Sequence, residues 1–132
     1  MDSERLLEMA KEARGFSCAD ISNFKVGAAL LTKSGKVFSG CNIEDPSGIG
    51  VTNICAERCA MVKALSEGYS DFEKIAVVGG MEELVFCTPC GVCRQYLNTF
   101  CPDIVVICLG GNGDIKEFAL NELLPHSFSE KF

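Results

Sequence analysis

Three cysteines stand at three-residue spacing in CTPCGVCRQY, as Cys87, Cys90 and Cys93, and another, Cys55, opens CAER well upstream. Thiolates bind metals and attack electrophiles, so the run alone is compatible with an iron–sulfur protein, a zinc ribbon, a disulfide scaffold or a catalytic metal site. Nine cysteines in all leave at least one thiol outside any internal pairing. The first residues, MDSERLLEMAKEAR, have no signal-peptide core, and the longest apolar runs, such as IVVICL at 104–109, are far too short to span a bilayer. The expectation is a cytoplasmic protein with no membrane partner, in which cysteines serve as metal ligands or small buried hydrophobes.

The spacing sorts them. Cys55 and Cys90 stand at the starts of two predicted helices, where unpaired N–H groups and a partial positive charge favour a thiolate. Cys93 follows Cys90 by one turn on the same face. The three can therefore hold one Zn²⁺ and leave its fourth tetrahedral position open for water, as catalytic rather than structural zinc sites do. Glu57, in the first turn after Cys55, is placed to reach that water as a general acid/base without being a ligand. Three thiolates leave such a site net negative. Arg58 is the nearest residue in sequence to offset the charge, and Arg94 is a weaker candidate.

Cys87 precedes its helix and reads as packing. Cys59 could share a helical face with Cys55, yet it also reads as a small filler, as do Cys18, Cys41, Cys101 and Cys108.

The elements that must position these groups follow from the pattern. Leu6, Leu7, Ala10 and Ala13 make an apolar face on a helix over 3–14. VGAALLT (26–32) and KVFSGCNIE (36–44) form a hairpin around a Ser-Gly turn. Residues 45–54, DPSGIGVTNI, read as loop. Helix formers cover 55–67, with Gly68 placed to end the helix. IAVVGG (75–80) and IVVICL (104–109) are buried strands, and Pro89 introduces a helix over about 90–100 that Pro102 closes. IKEFAL (115–120) reads as an edge strand and NELL as a short terminal helix. The order α-β-β-α-β-α-β-β suggests an α/β fold, a mixed sheet covered by helices on both faces.

At 132 residues the chain reads as one domain, 1–132, with 48% hydrophobic and 23% charged residues. Its net charge is −6, from 18 acidic and 12 Lys or Arg side chains. Binding a polyanion requires clustered Lys and Arg. No such run exists, so nucleic acid is disfavoured and a neutral small molecule is the expected partner.

C-A-E (55–57) with P-C-x-x-C (89–93) resembles the zinc signature of the nucleoside and nucleobase deaminases. FKVGAAL (24–30), GCNIE (40–44), CAER (55–58), TPCGVCRQ (88–95) and ELLPxxF (122–128) extend the likeness to small homotetrameric cytidine deaminases with a three-cysteine metal site, across nearly the whole chain. The resemblance implies a three-layer α/β/α fold with a mixed five-stranded sheet and one Zn²⁺ per subunit on Cys55, Cys90 and Cys93. It implies hydrolytic deamination of cytidine and deoxycytidine in pyrimidine salvage, with Glu57 as proton shuttle. Substrate contacts would come from Phe24, Asn42, Glu44 and Ala56. Asn42 and Glu44 would take the ribose, and Phe128 would stack on the base in a neighbouring subunit of a homotetramer whose active sites lie at interfaces. Arg58 would donate to ligand sulfur. His126 falls at a variable position and reads as exposed.

The segment 45–54 departs from the family: it is about two residues longer, it lacks a tyrosine, and Asp45 replaces the usual Asn. DISN (20–23) also lacks a common Tyr. These changes bear on substrate choice and leave a related nucleoside, such as an antibiotic, as the nearest alternative. A non-catalytic zinc module is the alternative of a different class, and it would need a fourth protein ligand.

Overall fold

The computed structural model describes residues 1–129. Helix α1 (Ser3–Arg14) starts at Asp2, whose carboxylate accepts from Arg5 N at 2.8 Å. It is followed by strands β1 (Lys25–Thr32) and β2 (Val37–Cys41), a 3-10 turn at Gly50–Thr52, and helix α2 (Ala56–Ser66). Then come β3 (Phe72–Gly80), α3 (Gly91–Phe100), β4 (Val105–Leu109), β5 (Ile115–Ala119) and the short α4 (Leu120–Leu123).

The five strands form one sheet in the order β2-β1-β3-β4-β5. Only the β3/β4 pair is parallel; the other three pairs are antiparallel. A parallel pair requires a crossover, and here α3 lies in that connection. Side chains alternate across the sheet as the pleat demands. Ala29 and Leu31 of β1, Ala76 and Val78 of β3 and Ile107 of β4 pack against Leu6, Leu7 and Ala10 of α1. Ala28, Leu30, Ile75, Val77, Val106 and Cys108 point the other way, onto Ala56, Ala60, Met61 and Ala64 of α2 and Leu97 of α3. The result is the expected three-layer α/β/α arrangement with a mixed five-stranded sheet. Each fully buried Leu, Ile or Val contributes roughly 1.5–3 kcal/mol, so both faces are needed to hold the sheet.

Two glycines let the layers close. A Cβ on Gly27 would lie 2.0 Å from the carbonyl oxygen of Ala10 in α1, and one on Gly40 would lie 2.6 Å from both Ala56 O and Ala60 N in α2. Gly40 thereby sets how closely α2 approaches β2. Gly40→Ala should cost about 1–3 kcal/mol or more by forcing that helix outward, read as a lower guanidinium midpoint at unchanged slope. At the far end of α2, Gly68 has φ +90°. Its N–H and that of Tyr69 bond to Leu65 O and Ala64 O, closing the helix through two of its last carbonyls.

Most predicted boundaries lie within a residue or two of these. The second strand ends at Cys41 rather than at 44, and β3 begins at Phe72, three residues before the expected start. Ile43 instead makes single bridges to Cys18 on one side and Ile54 on the other, so Asn42 and Glu44 sit in a short junction of three chain segments. Cys55 and Cys90 are the N-cap residues of α2 and α3, one position before each helix proper.

Candidate active site

The two helix starts converge. Cys55 and Cys90 both have extended backbones at their caps, and neither side chain makes a capping bond, which leaves both sulfurs available. Cys55 Sγ and Cys90 Sγ are 3.6 Å apart, and the sulfurs of Cys55, Cys90 and Cys93 all lie within 4.8 Å of one another. Zinc–sulfur bonds of about 2.3 Å in a tetrahedron put neighbouring sulfurs about 3.8 Å apart. This donor set fits Zn²⁺ in both size and chemistry. The group has three members among the described residues, so they supply no fourth Cys, His, Asp or Glu ligand.

The three thiols compete for negative charge. The hydrogen bond from Cys93 lowers Cys55 to about 5, and that same bond, with burial, raises Cys93. A bound divalent cation removes the competition by giving each sulfur a positive neighbour. Arg58 Nη2 donates to Cys55 Sγ at 3.5 Å, and this contact raises the pKa of the guanidinium still further. Its Nε is buried without a partner in the same region.

Glu57 is 3% exposed, in the first turn of α2. Burial pushes its carboxyl up to about 7, against the lowering effect of its own backbone N–H. A carboxyl poised near neutrality can both take and give a proton at physiological pH.

These groups open on a cavity of about 310 Å³, lined in part by Phe24, Asn42, Glu44, Cys55, Ala56, Glu57 and Cys90. Every one of those was expected from the sequence. Cys93 lies buried in α3, and Phe128 is not among the lining residues of this chain's cavity. The Phe128 carbonyl instead accepts from Gln95 Nε2 at 2.7 Å, against α3, with 59% of the residue exposed.

Asn42 is held by the backbone: its Oδ1 accepts from Val26 N at 2.9 Å and from the Ser17 hydroxyl, and its Nδ2 donates to Phe24 O at 2.8 Å. Glu44 accepts three bonds from Ile21 and Ser22, which hold its carboxyl below the usual range, the Ser22 hydroxyl having the largest effect.

Val26, Asn53, Ile54, Cys87 and Thr88 also line the cavity and were not among the expected substrate contacts. Thr88 and Cys87 are adjacent to the P-C-x-x-C motif, a signal available in the sequence. Asn53 and Ile54 arrive through the Ile43–Ile54 bridge, which no local pattern announces.

Arg94 departs from its suggested task. Its guanidinium donates to Pro89 O at 2.7 Å, Leu123 O at 2.6 Å and Thr88 Oγ1 at 2.8 Å. Two of these bonds brace the turn that presents Cys90 and the third ties that turn to α4, so none of the three goes to sulfur. Cys87 is half-buried, and burial raises its thiol to about 11, so it keeps its proton beside the site. Cys101 and Cys108 are buried as expected of fillers, whereas Cys18 is exposed and contributes its backbone to the junction with Asn42 and Glu44. His126 is exposed.

A buried carboxyl beside a three-thiol group at the base of a solvent-accessible cavity defines a metal-dependent hydrolytic site. The family described as cytidine and deoxycytidylate deaminase zinc-binding region matches residues 1–109, and the chain belongs to that family. It is 46% identical to a cytidine deaminase of Halalkalibacterium halodurans, over 98% of this chain and 96% of that relative. It is also 32% identical to blasticidin-S deaminase of Bacillus cereus, over 94% and 90% of the two chains. Among solved structures, cytidine deaminase from Burkholderia pseudomallei superposes with a TM-score of 0.87 at 42% identity, covering 97% of this chain and 100% of that one.

Proposed function

We propose that this protein is a zinc-dependent cytidine deaminase, converting cytidine and deoxycytidine to uridine and deoxyuridine with release of ammonia. The observation that carries the reading is the buried Glu57 beside the three-thiol group of Cys55, Cys90 and Cys93, in a chain of this family. Cys55, Cys90 and Cys93 would hold the zinc, which would supply a Lewis acid to lower the pKa of a water at neutral pH.

Glu57 accepts a proton from that water and delivers it to N3 of the pyrimidine ring as C4 is attacked. It then passes the second proton of the attacking oxygen to the amine leaving C4. Each transfer needs a carboxyl whose two protonation states are close in energy, and burial supplies that. Ala56, buried at the floor, and Phe24, at the wall, confine the base, while Asn42 and Glu44 take the sugar hydroxyls. Arg58 offsets the charge of the thiolate group through Cys55. Arg58→Ala should therefore retain zinc and lose about 10–100-fold in kcat/KM, measured alongside metal content.

The similarity to blasticidin-S deaminase supports testing a second substrate class, an aminopyrimidine nucleoside antibiotic. Asn42 and Glu44 both lining the cavity favour an ordinary nucleoside sugar. Ultraviolet absorbance on mixing with cytidine, deoxycytidine, cytosine, dCMP and blasticidin S separates the readings. Cytidine and deoxycytidine should be consumed, and zinc-loaded protein inert to every compound would refute the proposal in favour of a structural zinc module.

We further propose a homotetramer in the cytoplasm, serving pyrimidine salvage, with Phe128 reaching a neighbour's site. Apolar side chains left exposed on the segments that carry cavity residues, Ile49, Val51 and Val92, support an interface there. No helix among the described residues is long and apolar enough to cross a membrane. Sedimentation velocity should give four times the 14.2 kDa chain mass.

A further inference from the structure

The sugar-binding side chains are tied to the segment between α1 and β1, and a single hydroxyl joins two walls of the cavity. Ser22 Oγ donates to Glu44 Oε2 at 2.6 Å and accepts from Phe24 N at 3.0 Å. The backbone N–H groups of Ser22 and Ile21 donate to Glu44 Oε1 at 2.9 and 3.0 Å. Glu44 lies beyond the end of β2, whereas Phe24 immediately precedes β1, so these two lining residues flank different strands. Asn23, between Ser22 and Phe24, has φ +60°, a conformation Asn tolerates better than most residues. That turn lets the chain fold back so that Ser22 faces Glu44 and Phe24 together.

The energetic need is clear from burial. Glu44 is only half-buried, and packing alone does not fix a carboxylate with three rotatable bonds. Three donors from Ile21 and Ser22 select one orientation. Asn42 needs no such help, because backbone groups of Val26 in β1 and of Phe24 just before it hold its amide.

We propose that Ser22 is a positioning residue for the sugar: its hydroxyl and N–H aim the Glu44 carboxylate at a sugar hydroxyl and lock that carboxylate to the Phe24 wall. This rests on the reading of Glu44 as the sugar's acceptor. The same bonds keep Glu44 ionised, hence acceptor-only, which suits a hydroxyl donor and not a second acceptor.

The test compares cytidine with 2′,3′-dideoxycytidine, which keeps the base and lacks both ring hydroxyls. Ser22→Ala, Ser22→Thr and Glu44→Ala are assayed on both substrates, with zinc content and thermal unfolding measured for each. Ser22→Ala should raise KM for cytidine about tenfold with a much smaller effect on kcat. Its preference for cytidine over the dideoxy compound should fall by a similar factor, and Ser22→Thr should restore most of it. If Glu44→Ala lowers that preference and Ser22→Ala does not, the positioning role is wrong while the sugar assignment stands. Equal losses on both substrates from Ser22→Ala would also overturn it, as a general structural defect. If Glu44→Ala leaves the preference unchanged, the sugar assignment fails and the positioning role fails with it.

Discussion

Replacing Glu57 by glutamine is expected to leave about one zinc per chain and to lower kcat by about 10²–10⁴-fold, the range general acid–base catalysis supplies. Glutamine has nearly the shape of glutamate, so the 3%-exposed site in α2 stays filled and the helix keeps its approach to β2. What disappears is the capacity to accept a proton from water and return it to N3 and to the leaving amine. Because burial disfavours the charged carboxylate, the neutral amide should also be at least as stable there. The signature is therefore a variant with normal zinc content, an unfolding midpoint equal to or above the parent's, and very little turnover. Metal analysis, thermal unfolding and single-turnover kinetics on cytidine check it together. Activity within tenfold of the parent would show that another group moves the protons.

Cys90→Ala should have the opposite profile: below about a tenth of a zinc per chain, and no measurable deamination. Cys90 is exposed and makes no capping bond, so the substitution removes little packing from α3 and tests metal binding with little confounding. Two thiolates are too few to hold a catalytic zinc, for which three protein ligands are the rule. Metal binding to the folded state adds to stability by linkage. A chelator should therefore lower the unfolding midpoint of the parent and leave that of Cys90→Ala where it is. Cys87→Ala provides the contrast, keeping full zinc because its thiol stays protonated and outside the three-member group. Zinc retained by Cys90→Ala, or lost by Cys87→Ala, would reassign the ligands.

Much of the positioning is local, and local features were legible. The helix over 3–14 follows from Leu6, Leu7, Ala10 and Ala13, all buried in the structure. The strand 104–109 follows from an apolar run bounded by Pro102 and Gly110, and Cys93 lies one turn from Cys90 because α-helical geometry requires it. Boundaries shifted where tertiary pairing took over. Phe72, Glu73 and Lys74 do not read as a buried strand, yet β1 and β4 extend β3 across them. The expected strand residues 42–44 instead leave the sheet to meet Cys18 and Ile54.

The candidate ligand types, their placement at two helix starts, the carboxyl two residues after Cys55, and the alternation that builds a two-faced sheet are readable in short stretches of sequence. All are short-range, set by backbone periodicity and cap chemistry. Contacts between distant segments are what make Arg94 brace a turn, hold the Asn42 amide between Val26 N and Phe24 O, leave Cys18 exposed, and join Glu44 to Phe24 through Ser22. Those outcomes depend on which distant segments meet at one end of the sheet. Hydrogen bonds between residues twenty or more positions apart leave no period in the sequence.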